Sequence, residues 1–530
     1  MSGEFAMYTA PVLIAGEWCQ AAESGRFHPV NPSTREQLSQ AYPVSSWHDC
    51  DTALDAAVLA AEQLNACPAS ARAQFLEHFA DLIEADAKSI CALAAEETGL
   101  PIHPRLLEVE LPRTTNQLRQ AARAAADGSW ARATIDTSAN IRSIHRAIGP
   151  VVIFGPNNFP LAFNGVSGGD FAAAIAAGNP VIAKAHSAHP GTSQLLARLA
   201  HQALQASGLP TSTIQVLYAT SRADGLKLVS DPRTGAVAFT GSRSAGLTLK
   251  QAADEVGTPI YVELSSINPV IMLAGALREN SAALAEEFAN SCLMGTGQFC
   301  TSPGLLILPE GADTTVFMQH SADLFDSKPI GTLLSEDTEA NLRQTTQELI
   351  ASGAKVLTKN LNCDPARFCR PNTLLAITGK EFLLQANRYQ AEAFGNTALI
   401  VVSKSTEETC QIINSLEGNL TGSIYSAIDS SDDTDYNQVE PILRARVGRL
   451  LNDKMPTGVA ISPAMNHGGP FPASGHPGFT AVGIPASLIR FSKLHCYDNV
   501  RNNRLPALLQ DDNPTGAWRL INEEWSQSAL

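Results

Sequence analysis

The chain has 530 residues, 44% hydrophobic and 17% charged, a balance that suits a soluble globular protein and a length that calls for two or three domains. Its net charge of −15, with no cluster of Lys and Arg, argues against a nucleic-acid partner, because phosphate contacts need concentrated positive charge. The longest apolar run, 171–183, falls short of the roughly 20 residues that span a bilayer and is broken by Gly178-Asn179-Pro180, so no membrane span is expected. The first basic residue is Arg26, which leaves no basic leader, and a cytoplasmic location is the expectation. The ten cysteines lack the paired spacing of a zinc or disulfide framework, so most are expected as buried, unpaired thiols, and no metal is anticipated.

Between residues 47 and 126 apolar residues recur at helical spacing, interrupted at Cys67-Pro68 and Gly99-Leu100-Pro101. Two short β-prone pieces at 133–135 and 141–144 predict a hairpin, an excursion of the kind that makes oligomer contacts. From Gly149 apolar strands are expected at 151–154, 181–184, 214–218, 236–239 and 260–264. Helices are expected between them at 167–177, at 192–206, after Ala223 and at 244–255. This alternation predicts an α/β fold with a parallel, doubly wound sheet, which binds ligands at the carboxyl ends of its strands. A second α/β region follows over 265–462, and 463–530 is rich in Gly, Pro and Asn.

Candidate chemistry falls at those strand ends. Phe239-Thr240-Gly241-Ser242-Arg243-Ser244-Ala245-Gly246 closes a strand and opens a helix, where glycine admits a phosphate and the helix terminus offers free N–H groups; it reads equally as a plain strand-to-helix turn. Asn158, in Asn157-Asn158-Phe159-Pro160, could stabilise an oxyanion, worth roughly 3–4 kcal/mol for a preorganised donor, or could be a turn residue before proline. Glu263, near the end of an apolar strand, is a candidate general base or a buried ion-pair partner. Lys184 ends its strand where it could meet ribose or phosphate, or simply be solvated. Glu392 and Phe394 lie two apart on an extended segment and face the same way. Cys300, in Gly297-Gln298-Phe299-Cys300-Thr301, is a candidate nucleophile on an uncharged, glycine-punctuated stretch.

In this order and at these intervals the motifs resemble the aldehyde dehydrogenase superfamily, over almost the whole chain from Gly16-Glu17-Trp18 to Gly468-Gly469-Pro470. The resemblance implies two doubly wound α/β domains plus a β-rich oligomerisation element: a cofactor-binding domain at 1–129 and 149–264, a catalytic domain at 265–465, the oligomerisation element at 130–148 and 480–500, and a C-terminal tail at 501–530. It implies Cys300 as nucleophile, Asn158 as oxyanion donor and Glu263 as the base that releases the acid. Lys184, Ser187, Gly241, Ser242, Gly246, Glu392 and Phe394 are then cofactor contacts, and homodimers or homotetramers are usual. The usual Glu-Leu-Gly-Gly-Lys is here Glu263-Leu264-Ser265-Ser266-Ile267-Asn268-Pro269. With His467-Gly468-Gly469-Pro470-Phe471-Pro472, it resembles a branch holding α-ketoglutaric semialdehyde dehydrogenases and an NADP-dependent fatty aldehyde dehydrogenase. The semialdehyde is the expected substrate, a long aliphatic aldehyde the alternative, and an inactive ligand-binding scaffold the alternative of another class. Ser187 stands where NAD-preferring relatives often carry Glu, so either cofactor is expected with NADP favoured. Arg113 and Arg119 are candidate anchors for a substrate carboxylate.

Overall fold

The computed structural model describes residues 9–360 and 362–530; residues 1–8, at the start of the expected cofactor-binding segment, lie outside the described residues. Strands Val151–Phe154, Val181–Lys184, Ile214–Leu217, Ala236–Thr240 and Ile260–Glu263 are apolar on both faces, as strands covered by helices on both sides must be. Val151 and Ile153 enter one core and Val152 the other, following the two-residue period of a strand. The five pair in parallel with Val151–Phe154 in the middle, and Val12–Ile14 and Glu17–Cys19 extend one edge antiparallel. Because the chain builds outward from Val151–Phe154 on one side and returns to its other side at Ala236–Thr240, a crevice opens at these strand ends.

The second sheet has seven strands, all parallel except the short edge Lys355–Val356, with Leu305–Pro309 and Thr397–Ser403 near its centre. Leu306, Leu374 and Ile400 pack on one face and Leu305, Leu375 and Leu399 on the other, so two core layers sandwich it. The segment 473–475 then runs back along the first sheet: Leu264 N–H donates to Ala473 O at 2.9 Å and Gly475 N–H to Val262 O at 3.0 Å. That return brings residue 467 beside Glu263.

The expected hairpin forms from Thr134–Asp136 and Ile141–Ala147, and Ser492–Asp498 joins it antiparallel. The C-terminal tail at 501–530 carries strands of its own. Arg519–Ile521 and Glu524–Ser526 add two more strands to the same sheet, held in place by the fully buried Arg519, which donates to Gln510 O and Ser528 O. Cys363 and Cys369 depart from the expectation of unpaired thiols: they are joined as a disulfide with Cα atoms 6.2 Å apart, whereas Cys50, Cys91 and Cys292 are buried and free.

Candidate active site

Cys300 follows a tight turn after helix Ala274–Leu293, in which Gly295, Thr296 and Gly297 all have positive φ. Glycine is required at 297, because a Cβ there would stand 2.1 Å from Gly395 O, and this close approach sets the Cys300 loop against the Glu392–Phe394 segment. Asn268 fixes the loop to the second sheet. Its Nδ2 donates to Cys300 O and Ser302 O at 2.9 Å each, while its Oδ1 accepts from Ser266 Oγ and Thr421 Oγ1, also at 2.9 Å. The unusual Ser265-Ser266-Ile267-Asn268 run is thus the seat of the cysteine loop.

Asn158 lies beyond the end of strand Val151–Phe154 on a loop organised by a buried carboxylate. Glu110 Oε1 accepts from Leu161 N and Ala162 N at 2.8 and 2.9 Å, and its Oε2 pairs with Arg105, which in turn donates to Asn158 O at 3.1 Å. The Arg105 guanidinium also lies 4.4 Å over the Phe159 ring and 5.2 Å from Phe299. Asn158 Nδ2 donates to Gln298 O at 3.0 Å, which uses one of its two amide hydrogens. The Cys300 backbone N–H makes no hydrogen bond among the described residues, so two donors remain for an oxygen bonded near Sγ.

Glu263, 1% exposed, ends its strand next to His467, 2% exposed. His467 Nε2 stands 3.0 Å from Glu263 Oε1 and 3.4 Å from Cys300 Sγ, bridging the carboxylate and the thiol. Burial, reinforced by the Glu263 charge, pushes the Cys300 thiol well above its ordinary range, with Arg113 opposing. The thiol therefore rests protonated and needs a neighbouring base. In the sequence His467 only opens a glycine-rich run, and nothing local marks a histidine 167 positions from the cysteine as its hydrogen-bond partner.

A cleft of about 480 Å³ opens at the strand ends and is lined by Asn158, Cys300 and Glu263 together with Lys184, Gly241, Ser242, Glu392 and Phe394. Two helices point their N-termini this way, and they differ. The terminus of Pro190–Ser207 is filled by Glu97, whose carboxylate accepts from Gly191 N, Thr192 N and Thr192 Oγ1 at 2.7–2.8 Å. The terminus of Arg243–Val256 has only its own Ser242, with Oγ accepting from Ala245 N at 3.4 Å, and stays available to an anion. Lys184 forms no ion pair among the described residues, and burial lowers it to about 8; burial also pushes His186 far down, so that it is neutral. Glu392 is pushed up to about 7, chiefly by burial. An unpaired ammonium beside an open helix terminus fits a phosphate-bearing cofactor.

Three expected residues fall elsewhere. Ser187 is exposed and does not line the cleft, because the chain turns outward after His186. Gly246 faces Leu264, where a Cβ would meet Cδ2 at 2.3 Å, so its role is close packing of helix on strand. Arg119 lies on the surface, paired with Asp81 and Glu84 of helix Ala69–Ala85. Arg113 turns inward: Nη1 donates to Val459 O at 3.0 Å, its guanidinium lies 5.2 Å from the Phe163 ring, and Nε and Nη2 are buried without a hydrogen-bond partner among the described residues.

The sequence profile of the aldehyde dehydrogenase family matches residues 18–441. The chain is 37% identical to α-ketoglutaric semialdehyde dehydrogenase 2 of Azospirillum brasilense, covering 97% of this chain and 98% of that one. It is 33% identical to an α-ketoglutaric semialdehyde dehydrogenase of Acinetobacter baylyi, covering 96% and 97%. The fold matches aldehyde dehydrogenase C of Pseudomonas syringae, solved as a mutant with NAD+ and octanal, with a TM-score of 0.78 at 18% identity over 92% of this chain and 96% of that one.

Proposed function

We propose that this chain, which belongs to the aldehyde dehydrogenase family and oxidises an aldehyde with a nicotinamide cofactor, acts on α-ketoglutaric semialdehyde and yields 2-oxoglutarate through Cys300. Lys184, Gly241, Ser242, Glu392 and Phe394 hold the cofactor, which supplies the hydride acceptor when bound. The Cys300 thiol passes its proton to the His467–Glu263 pair and the sulfur attacks the aldehyde carbon, giving a thiohemiacetal. Asn158 Nδ2 and the Cys300 N–H hold the oxyanion of this adduct and again that of thioester hydrolysis. Once the thiol proton has left to solvent, Glu263 takes the proton of the hydrolytic water and returns it to sulfur as the C–S bond breaks and the acid leaves.

The observation that carries the substrate reading is Arg113. A buried guanidinium with two unpartnered N–H groups is costly unless an anion meets it, and a bidentate carboxylate is its natural complement. Arg449 supports it from the far side of the 456–459 loop: it donates to Pro456 O at 2.8 Å, and its buried Nε is likewise unpartnered. An aliphatic chain in the same place leaves these groups unpaired. A kcat/KM panel of α-ketoglutaric semialdehyde against aliphatic aldehydes of rising length tests this in wild type and Arg113→Met. The semialdehyde should lead in wild type and lose about 2–5 kcal/mol in the variant; a wild-type preference for long aliphatic aldehydes overturns the reading. Loss of turnover in Cys300→Ala separates an enzyme from an inactive scaffold.

NADP is the favoured cofactor, supported by Lys184, which has no ion-pair partner among the described residues; initial rates with each cofactor test it, and a strong NAD preference refutes it. A homodimer or homotetramer is supported by the exposed edge strand Ser492–Asp498.

A further inference from the structure

We propose that Cys300, His467 and Glu263 also form a site for Zn²⁺ or another thiophilic divalent cation, and that the ion switches the enzyme off reversibly while it is held. Sγ, Nε2 and the carboxylate oxygen all lie within 4.8 Å of one another, with Nε2 at 3.4 Å from sulfur and 3.0 Å from oxygen. Around a tetrahedral zinc, bond lengths of about 2.3 Å to sulfur and about 2.0–2.1 Å to nitrogen or oxygen place neighbouring donors roughly 3.3–3.6 Å apart. Small side-chain rotations therefore close the three onto one ion.

Charge and burial favour it. A thiolate, a carboxylate and a neutral imidazole around a dication sum to zero, the cheapest state for a largely buried site. Glu263 adds an independent sign: it is 1% exposed, and among the described residues its carboxylate oxygens meet no hydrogen-bonding group outside the cluster, only His467 Nε2 and the Cys300 thiol. The frame is also rigid. His467 N–H donates to Thr480 Oγ1 at 2.9 Å and its carbonyl accepts from Ala481 N at 2.9 Å, while Asn268 pins the Cys300 carbonyl. Cys300 and Glu263 line the cleft, which leaves the fourth position open to water.

On binding, the S–H bond breaks, an S–Zn bond forms and the proton leaves to solvent, with no change of oxidation state. The dication then draws charge from the sulfur and occupies its approach to the aldehyde carbon, so its nucleophilicity falls, and the Glu263 oxygen is engaged. That the ion inhibits rests on the roles proposed above for Cys300 and Glu263; that it binds does not.

The test uses the full chain stripped of metal by a chelator and titrated with Cd²⁺, whose bond to thiolate gives an ultraviolet charge-transfer band, and with Zn²⁺ against a competing chelator. One tight ion per chain is expected, with the first equivalent of Cd²⁺ giving the band and Zn²⁺ abolishing activity until EDTA restores it. Cys300→Ser, or wild type alkylated at Cys300 beforehand, should lose the band, and His467→Asn should bind at least tenfold more weakly. A first-equivalent band that survives in Cys300→Ser and in the alkylated protein, or an affinity unchanged in His467→Asn, overturns the site. Metal binding with these signatures but undiminished turnover overturns the inhibition and, with it, the nucleophile assignment.

Discussion

Glu392 faces the cleft with its carboxyl raised to about 7, mainly because burial penalises the charged form. It loses its proton as pH rises through that value, and an ionised carboxylate accepts hydroxyl hydrogen bonds better than a neutral acid. The KM for the cofactor should therefore fall as pH rises from about 6 to about 8, and Glu392→Gln should flatten that dependence. Initial-rate kinetics at fixed, saturating aldehyde read it, and an unchanged slope in the variant removes Glu392 from the cofactor site. Asn158→Ala removes one oxyanion donor and leaves Cys300 in place; kcat should drop about 10²–10³-fold with a modest change in KM. At this scale the sequence shows which residue types are present in a compatible order. It does not show orientation: Arg113 and Arg119 sit six apart on helix Leu111–Asp127, yet one packs against Phe163 and the other meets carboxylates on the surface.

Among elements, the two helix termini near Lys184 are distinguished by Glu97, a side chain from helix Ala87–Thr98 that fills one and leaves the other free. Glu97→Ala strips three hydrogen bonds from a buried helix start and should cost about 1–3 kcal/mol, read as a lower urea midpoint at unchanged slope. A full-strength fold in this variant would mean that water replaces the cap. The strands around the first crevice were legible to within about a residue, since apolar runs bounded by Gly, Pro and Asn dictate where a buried parallel strand starts and stops. The last 30 residues were not: strands of three residues, with Arg519 as their central buried side chain, carry no apolar period.

For the whole molecule, strand Ser492–Asp498 forms one edge of the five-stranded sheet and presents Leu494, 62% exposed, beside unpaired backbone groups. If copies of the chain join along it, Leu494→Glu should shift the mass seen by light scattering toward the monomer, whereas an unchanged mass places the contact elsewhere. The sequence by itself determined the α/β rhythm, the family and the order of Asn158, Glu263 and Cys300, because periodicity and glycine placement are local properties of the chain. Only the tertiary structure decided that His467 bridges Cys300 and Glu263, that Arg113 rather than Arg119 reaches the site, and that Ser187 and Gly246 do not line the cleft. Each of these depends on chain segments that meet only when the two sheets pack and residues 463–475 fold back along the first, and no local pattern encodes a contact across 167 residues.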